Sequence, residues 1–320
     1  MKKRTLGNGQ AVSSIGLGCM GMDHAYGKPA PREDMAKLLR YAVDLGYTFF
    51  DTAVVYGEAN EELLGKAFSS LRDQVVLATK FGIVGQRIKD GKPVNLLDSK
   101  PASIRRQVEG SLLRLKTDHI DLYYQHRVDP DVEPETVAET MNALMKEGKI
   151  RGWGLSNAPV DYMKRAHAVC PLAAVENQYS MMWREPEKGL FDLCSAMNIA
   201  FVAYSPLGNG FLSGRFTRDA VYGEGDFRGF MGRFRPEVME RNQALLGLIR
   251  NMAESKQATP AQIVLAWELA HRPFIIPIPG TTNPQRLEEN LGAALIELSS
   301  EDLATINNTL AQIDVDETYF

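Results

Sequence analysis

An alternation constrains this 320-residue chain more than any other feature. From Ile15 onward, eight short apolar runs rich in β-branched or aromatic residues are each followed by a stretch of helical spacing. The runs cover residues 15–18, 48–51, 75–80, 120–126, 152–156, 174–178, 200–204 and 274–278. Helices are expected at 32–45, 60–71, 101–115, 134–147, 159–169, 187–197, a pair at 236–255 and 259–271, and 284–294, several with proline just inside the start, where a missing N–H costs nothing. Eight such units predict a closed (β/α)8 barrel of the TIM type, because a doubly wound sheet more often stops at five or six strands. Gly16 to Gly21 nearly spells the GxGxxG string, yet residues 23–31 continue as loop instead of opening a helix, which argues against a dinucleotide-binding sheet. Ahead of the alternation, two short runs flank Gly7-Asn8-Gly9 and predict a small β-hairpin that caps the barrel. No low-complexity linker divides residues 1–320, so a single domain is expected.

Composition removes several classes of partner. Thirty-six Lys plus Arg against 40 Asp plus Glu leave no bulk positive charge for nucleic acid or an anionic membrane. The basic start is not followed by an apolar stretch of signal-peptide length, and no run approaches the span of a bilayer, so a cytoplasmic protein is expected. Three cysteines without CxxC spacing and five scattered histidines without HExxH point away from disulfides and from a bound metal. Assembly into a homo-oligomer stays open.

Barrels carry chemistry at the carboxyl ends of their strands. There the chain places Asp51, Lys80, His126, Ser156 with Asn157, Gln178, and Tyr204 with Ser205, each after an apolar run. Tyr56 follows Asp51 in the next loop. A phenol has a pKa of ~10, and a cation ~4 Å away in a partly screened site lowers it by about three units, so Lys80 is expected to turn Tyr56 into a proton donor matched to neutral pH. Asp51 would keep that lysine charged and aimed. The plainer alternative is a buried Asp–Lys pair with Tyr56 as a loop aromatic. Ser156, Asn157 and Gln178 offer donors and acceptors suited to a carboxamide, and Tyr204 offers a ring for stacking. Residues 209–235 form a long segment with five arginines, suited to closing over a pyrophosphate; a glycine-arginine segment for nucleic acid is the rival reading. Thr281 and Arg286 follow the eighth run, where barrels bind phosphate at a helix amino terminus.

With these residues in view, the chain resembles the aldo-keto reductases from end to end. GYTFFDTA, VVLATKFG, SLLRLKTDHIDLYYQH, GKIRGWGLSN, VENQYS, AYSPLGNGFLSGRF and IPIPGTTNPQRLEEN carry the likeness. It is similar to the bacterial and plant branch that reduces varied aldehydes, and to potassium-channel β subunits. The resemblance implies a catalytic tetrad of Asp51, Tyr56, Lys80 and His126 with Tyr56 as general acid, and a small-molecule carbonyl substrate. It implies NADP(H) held by Gly18, Cys19 and Met20 at the rim, and by Ser156, Asn157 and Gln178 at the carboxamide. Tyr204 would stack on the ring. Ser205, Pro206, Leu207, Gly210 and Arg215 would lie along the pyrophosphate, and Gly280, Thr281, Arg286, Glu289 and Asn290 at the adenosine end. Many members carry lysine where this chain has Gly280, which leaves Thr281 and Arg286 to recognise a 2′-phosphate. Two rivals stand beside this reading: a non-catalytic cofactor-binding subunit, and a Schiff-base lyase using Lys80. Substrate contacts are expected in residues 20–26, at Trp183 and in the arginine-rich segment, and the short carboxyl tail is expected to enclose little.

Overall fold

The structure, a computed structural model, describes residues 2–89 and 92–319. In chain order its strands are β1 (Lys3–Thr5), β2 (Ala11–Ser13), β3 (Leu17–Gly18), β4 (Phe49–Asp51), β5 (Val76–Phe81), β6 (Ile83–Lys89), β7 (Lys92–Leu97), β8 (Leu122–Gln125), β9 (Trp153–Ser156), β10 (Ala174–Gln178), β11 (Ala200–Tyr204) and β12 (Ile275–Pro277). Eight of them form one parallel sheet in the order β3, β4, β5, β8, β9, β10, β11, β12. The sheet closes on itself: the Gly16 N–H donates to the Pro277 carbonyl at 2.9 Å, and Gly18 and Gly280 form a parallel bridge. The expected barrel is therefore present, and so is the hairpin, formed by β1 and β2 pairing antiparallel. Closure has a steric condition. A side chain on Gly280 would put its Cβ 2.9 Å from the Gly18 carbonyl, which gives a physical reason for glycine at this position.

The period-2 alternation of a strand decides what faces the barrel axis. Phe49, Val76, Ala78, Leu122, Tyr124, Ala174 and Val202 fill the interior, with Leu6 and Val12 of the hairpin plugging its amino-terminal end. Two residues further along the same files stand Asp51 after Phe49, Lys80 after Ala78, His126 after Tyr124, and Glu176 after Ala174. An apolar plug thus supports a polar layer at the carboxyl end.

Around the barrel lie α1 (Arg32–Leu45), α2 (Glu58–Phe68), α3 (Pro101–Leu115), α4 (Pro134–Lys146), α5 (Val160–Val169), α6 (Leu190–Ala196), α7 (Pro236–Arg241), α8 (Gln243–Ser255), α9 (Pro260–His271), α10 (Pro284–Gly292) and α11 (Ser300–Leu310). Their inner faces join Phe50, Leu77, Tyr123 and Leu155 of the strands in the larger hydrophobic core. Three elements depart from expectation. The stretch 236–255 breaks at Asn242, whose side chain is taken by both backbone groups of Asp316 in the tail. Helix α11 was not expected, although Ser299 and Asp302 make a reciprocal capping box at its start. The hairpin β6–β7 was also not expected; Asp90-Gly91, a strong hairpin-turn dipeptide between its strands, lies outside the described residues.

Candidate functional site

A cavity of about 770 Å³ opens at the carboxyl ends of the strands. That is within the usual ~300–1,000 Å³ for a small-molecule site. At its floor Lys80 is fully buried, with Nζ donating to Asp51 Oδ1 at 2.5 Å and to the Thr52 carbonyl at 3.0 Å. Glu176 Oε2 lies 3.3 Å from the same nitrogen. Tyr56 arrives on the 3-10 turn Val54–Tyr56, which ends at Gly57 with φ 109°, a conformation costly for any side chain. Its ring centroid lies 5.5 Å from Lys80 Nζ and 6.1 Å from the His126 imidazole, which it meets edge-on. His24 lies 6.1 Å away on a nearly parallel plane. The structure thus brings Asp51, Tyr56, Lys80 and His126 together. Asp51, Tyr56 and His126 face the cavity, and Lys80 stands behind them.

The charges differ from the expected pattern in one respect. Burial raises the Tyr56 phenol above its ordinary value; Lys80 pulls the other way, but Asp51 and Glu176 add to the rise. The expected net lowering by Lys80 is therefore corrected: burial of the phenol outweighs the lysine, whose charge is also shared by two carboxylates where one was expected. Burial alone would lower Lys80, yet Asp51, Glu176 and Tyr56 together raise it, so the ammonium stays charged. Burial, reinforced by Lys80 and Arg127, holds His126 well below the ordinary imidazole range and keeps it neutral. Burial first, then the neighbouring Asp51, pushes the Glu176 carboxyl up to about 8.

The remaining expected residues, Asn157 excepted, line the cavity, from Gly18, Cys19 and Met20 on one rim to Glu289 and Asn290 on the other. Asn157 sits one step back, accepting from the Tyr204 hydroxyl at 3.2 Å and donating to Ser156 Oγ at 3.0 Å, in a left-handed backbone with φ 51°. Gln178 Nε2 is buried with no hydrogen-bond partner among the described residues. Such an orphaned donor at a cavity wall suits an incoming carbonyl.

The segment 209–235 is folded down, not extended. The Phe227 N–H donates to the Ala25 carbonyl at 2.8 Å, and Arg228 pairs with Asp226 while its guanidinium lies 4.7 Å from the Phe216 ring and 5.1 Å from that of Tyr26. Of its five arginines only Arg215 and Arg228 line the cavity; Arg233 is buried against the Tyr319 ring at 4.3 Å. The tail correspondingly encloses more than expected: Tyr319 lines the cavity, and its carbonyl accepts the Gly232 N–H at 3.0 Å. Trp183 does not line it. At the start of α10, Asn283 Oδ1 accepts from the N–H groups of Gln285 and Arg286 at 2.9 and 3.3 Å. The helix amino terminus expected to bind phosphate is thus already capped, which leaves the side chains of Thr281 and Arg286 to meet an anion there. His24 and Tyr26, within the expected stretch 20–26, line the cavity, whereas sequence reasoning missed Glu176, Tyr319, and Gln86 and Asn95 of the β6–β7 hairpin, all at the cavity wall. Glu176 had a signal: it is an acid in an otherwise inward apolar file.

The family model for the aldo/keto reductase family matches residues 14–311. The chain belongs to the aldo/keto reductase family. It is 41% identical over 300 residues to the probable aldo-keto reductase 1 of Glycine max, a match covering 93% of this chain and 85% of that one. Among solved structures it is similar to the glycerol dehydrogenase of Gluconobacter oxydans, with a TM-score of 0.88 and 26% identity over 98% of this chain and 96% of the other. The aldo/keto reductase of Klebsiella pneumoniae in complex with NADP and acetate superposes with a TM-score of 0.74 and 30% identity, covering 96% of this chain and 95% of its own. This membership agrees with the resemblance read from the sequence strings.

Proposed function

We propose that the protein reduces an aldehyde or ketone with NADPH, using Tyr56 as the general acid. As an aldo/keto reductase it is an NADP-dependent oxidoreductase. The observation that carries the finer reading is the Tyr56 ring at the cavity wall, within 5.5 Å of a charged lysine and 6.1 Å of a neutral imidazole. The cavity's own features suit the cofactor: the orphaned Gln178 amide donor, the bare backbone at Gly18 and Gly280, and the guanidinium of Arg286 at the far end.

Bound NADPH supplies hydride to the carbonyl carbon. Tyr56 gives its proton to the oxygen as negative charge develops there, and Lys80 offsets the phenolate left behind. A raised phenol pKa is compatible with this, since the acid must hold its proton until the oxygen becomes basic enough to take it. His126, neutral, donates to the same oxygen and completes the polarising pair. Gln178 and Ser156 would hold the carboxamide of bound cofactor, Asn157 orients Ser156 and Tyr204, and Tyr204 would offer its ring to the nicotinamide. Thr281 and Arg286 meet the 2′-phosphate. Because Lys80 is kept charged, it is a poor amine nucleophile, which counts against the Schiff-base alternative.

The test is Tyr56→Phe, which should lower carbonyl-dependent NADPH oxidation by roughly 10²–10⁴-fold, the usual worth of a positioned acid, while cofactor affinity stays close to that of the parent. An unchanged rate with an aldehyde panel would sink the assignment.

A further inference from the structure

Lys80 has more partners than a lysine paired with one aspartate needs. We infer that Glu176, at the inward file of β10, is a positioning residue of this site that holds Lys80 together with Asp51 and switches the charge of the cluster by taking or releasing one proton. The inference rests on the reductase reading for its effect on rate, and on geometry alone for the proton.

Two carboxylates and one ammonium meet here with almost no solvent. Asp51 and Glu176 are 2% and 3% exposed and Lys80 1%. Asp51 spends Oδ1 on Lys80, whereas its Oδ2 and Glu176 Oε2 are buried with no hydrogen-bond partner among the described residues, although Oε2 is only 3.3 Å from Nζ. One cation cannot neutralise both acids, and a second buried negative charge is costly. The economical state holds one proton between them, so that the cluster carries no net charge. Glu176 is the better holder, because Asp51 has the shorter bond to Lys80. Burial raising this carboxyl to about 8 agrees with that choice and sets the range in which the proton leaves.

Among the described residues Glu176 has no ion-pair partner besides Lys80 to stabilise it once ionised. Facing the cluster from β8 are Tyr124, whose ring lies 5.8 Å from Nζ and whose hydroxyl is unpartnered among the described residues, and neutral His126. Tyr56 faces it from the loop after β4, Tyr204 from β11, and the buried thiol of Cys19 from the end of β3; burial raises all three, so each is neutral across the same range. Arg127 lines the cavity and donates to the His126 carbonyl at 2.6 Å and to Ser156 Oγ at 3.4 Å, and it makes no ion pair with Glu176 among the described residues.

The sign follows. Below its pKa Glu176 is neutral, the cluster is neutral, and Lys80 is free to offset the phenolate that Tyr56 becomes. Above it the cluster carries one negative charge, which opposes proton release from Tyr56. Carbonyl reduction should therefore fall roughly tenfold or more on an alkaline limb near pH 8 that belongs to Glu176 and not to Tyr56.

The experiment is the pH profile of kcat for aldehyde reduction by the parent, Glu176→Gln and Glu176→Asp. Expected is loss of that limb, or its shift by more than one pH unit, in Glu176→Gln, whatever the height of the plateau, and retention of a limb in Glu176→Asp. A limb at the same pH in Glu176→Gln, or a drop uniform across pH, overturns the inference. Carbon-13 NMR of carboxyl-labelled glutamate in the parent, without substrate, adds an independent reading that needs no folded variant: one glutamate should titrate near pH 8, and none doing so overturns it. A parent that reduces no carbonyl refutes the reductase reading, while the carboxyl titration still decides the proton's place.

Discussion

Arg215, in the segment after β11, is ion-paired with Glu289 on α10, so that the two sides of the cavity rim are joined across the groove. Glu289 is mostly buried while the Arg215 side chain is 42% exposed, and an ion pair of that kind is worth about 0.2–1 kcal/mol. Glu289→Gln should therefore speed NADP(H) release by no more than about fivefold, read by stopped-flow fluorescence. An effect of a hundredfold would mean that the pair is a latch and not a rim contact.

Lys80→Met should do more than stop turnover. Removing the ammonium leaves Asp51 and Glu176 facing each other without a cation, and breaking a buried pair costs about 3–5 kcal/mol. Both carboxyls can escape by protonation, so the loss should grow with pH. Urea unfolding at a mildly acidic and a mildly alkaline pH measures it; equal losses at both would contradict the charge arrangement.

His126 is predicted to stay neutral. Its folded pKa is depressed, so as pH falls through the ordinary value of ~6.5 the unfolded chain takes the proton and the folded one does not, and stability is lost on the acid side. The His126 ring signal in NMR should not titrate between about pH 8 and 6, and the rate profile should show no limb from it there.

Arg286→Ala tests cofactor choice. With Gly280 lacking a side chain and the α10 amino terminus capped by Asn283, the Arg286 guanidinium and the Thr281 hydroxyl remain to meet a 2′-phosphate. A charge-assisted bond is worth about 1.5–3 kcal/mol, so NADPH affinity should fall by roughly 10–100-fold while NADH affinity barely moves. Equal losses for both cofactors would refute the assignment.

Gly65→Ala sets two effects against each other. In mid-helix α2 the change gains about 1 kcal/mol in helix propensity. A Cβ there would stand 2.4 Å from the Arg114 carbonyl and 2.8 Å from that of Leu115, where α2 and α3 touch. Overpacking against backbone costs ~1–3 kcal/mol, so a net loss of stability is expected in thermal unfolding.

Much of this was legible in the chain because barrel strands obey a period of 2. Once Phe49, Ala78, Tyr124 and Ala174 are inward, the residues two places on must be inward too, and Asp51, Lys80 and His126 could be placed at one end from spacing alone. The same rule marks Glu176, two places after Ala174, as the second carboxylate; it is hidden in the sequence because it lies inside the run that the polar Gln178 ends. The enclosure by the tail was missed for another reason. Tyr319 lies at the cavity with its ring against the buried Arg233 and its carbonyl taking the Gly232 N–H, contacts between segments remote in sequence that no local pattern announces.

What the amino-acid order determined by itself was the repeat: apolar runs, helical spacing and polar run-ends, enough to specify a barrel and the end at which its chemistry lies. The protonation of that chemistry was decided only in three dimensions. Whether one lysine answers to one acid or to two depends on which side chains burial forces into the same few cubic ångströms, and β4, β5 and β10 bring theirs together only because the sheet closes.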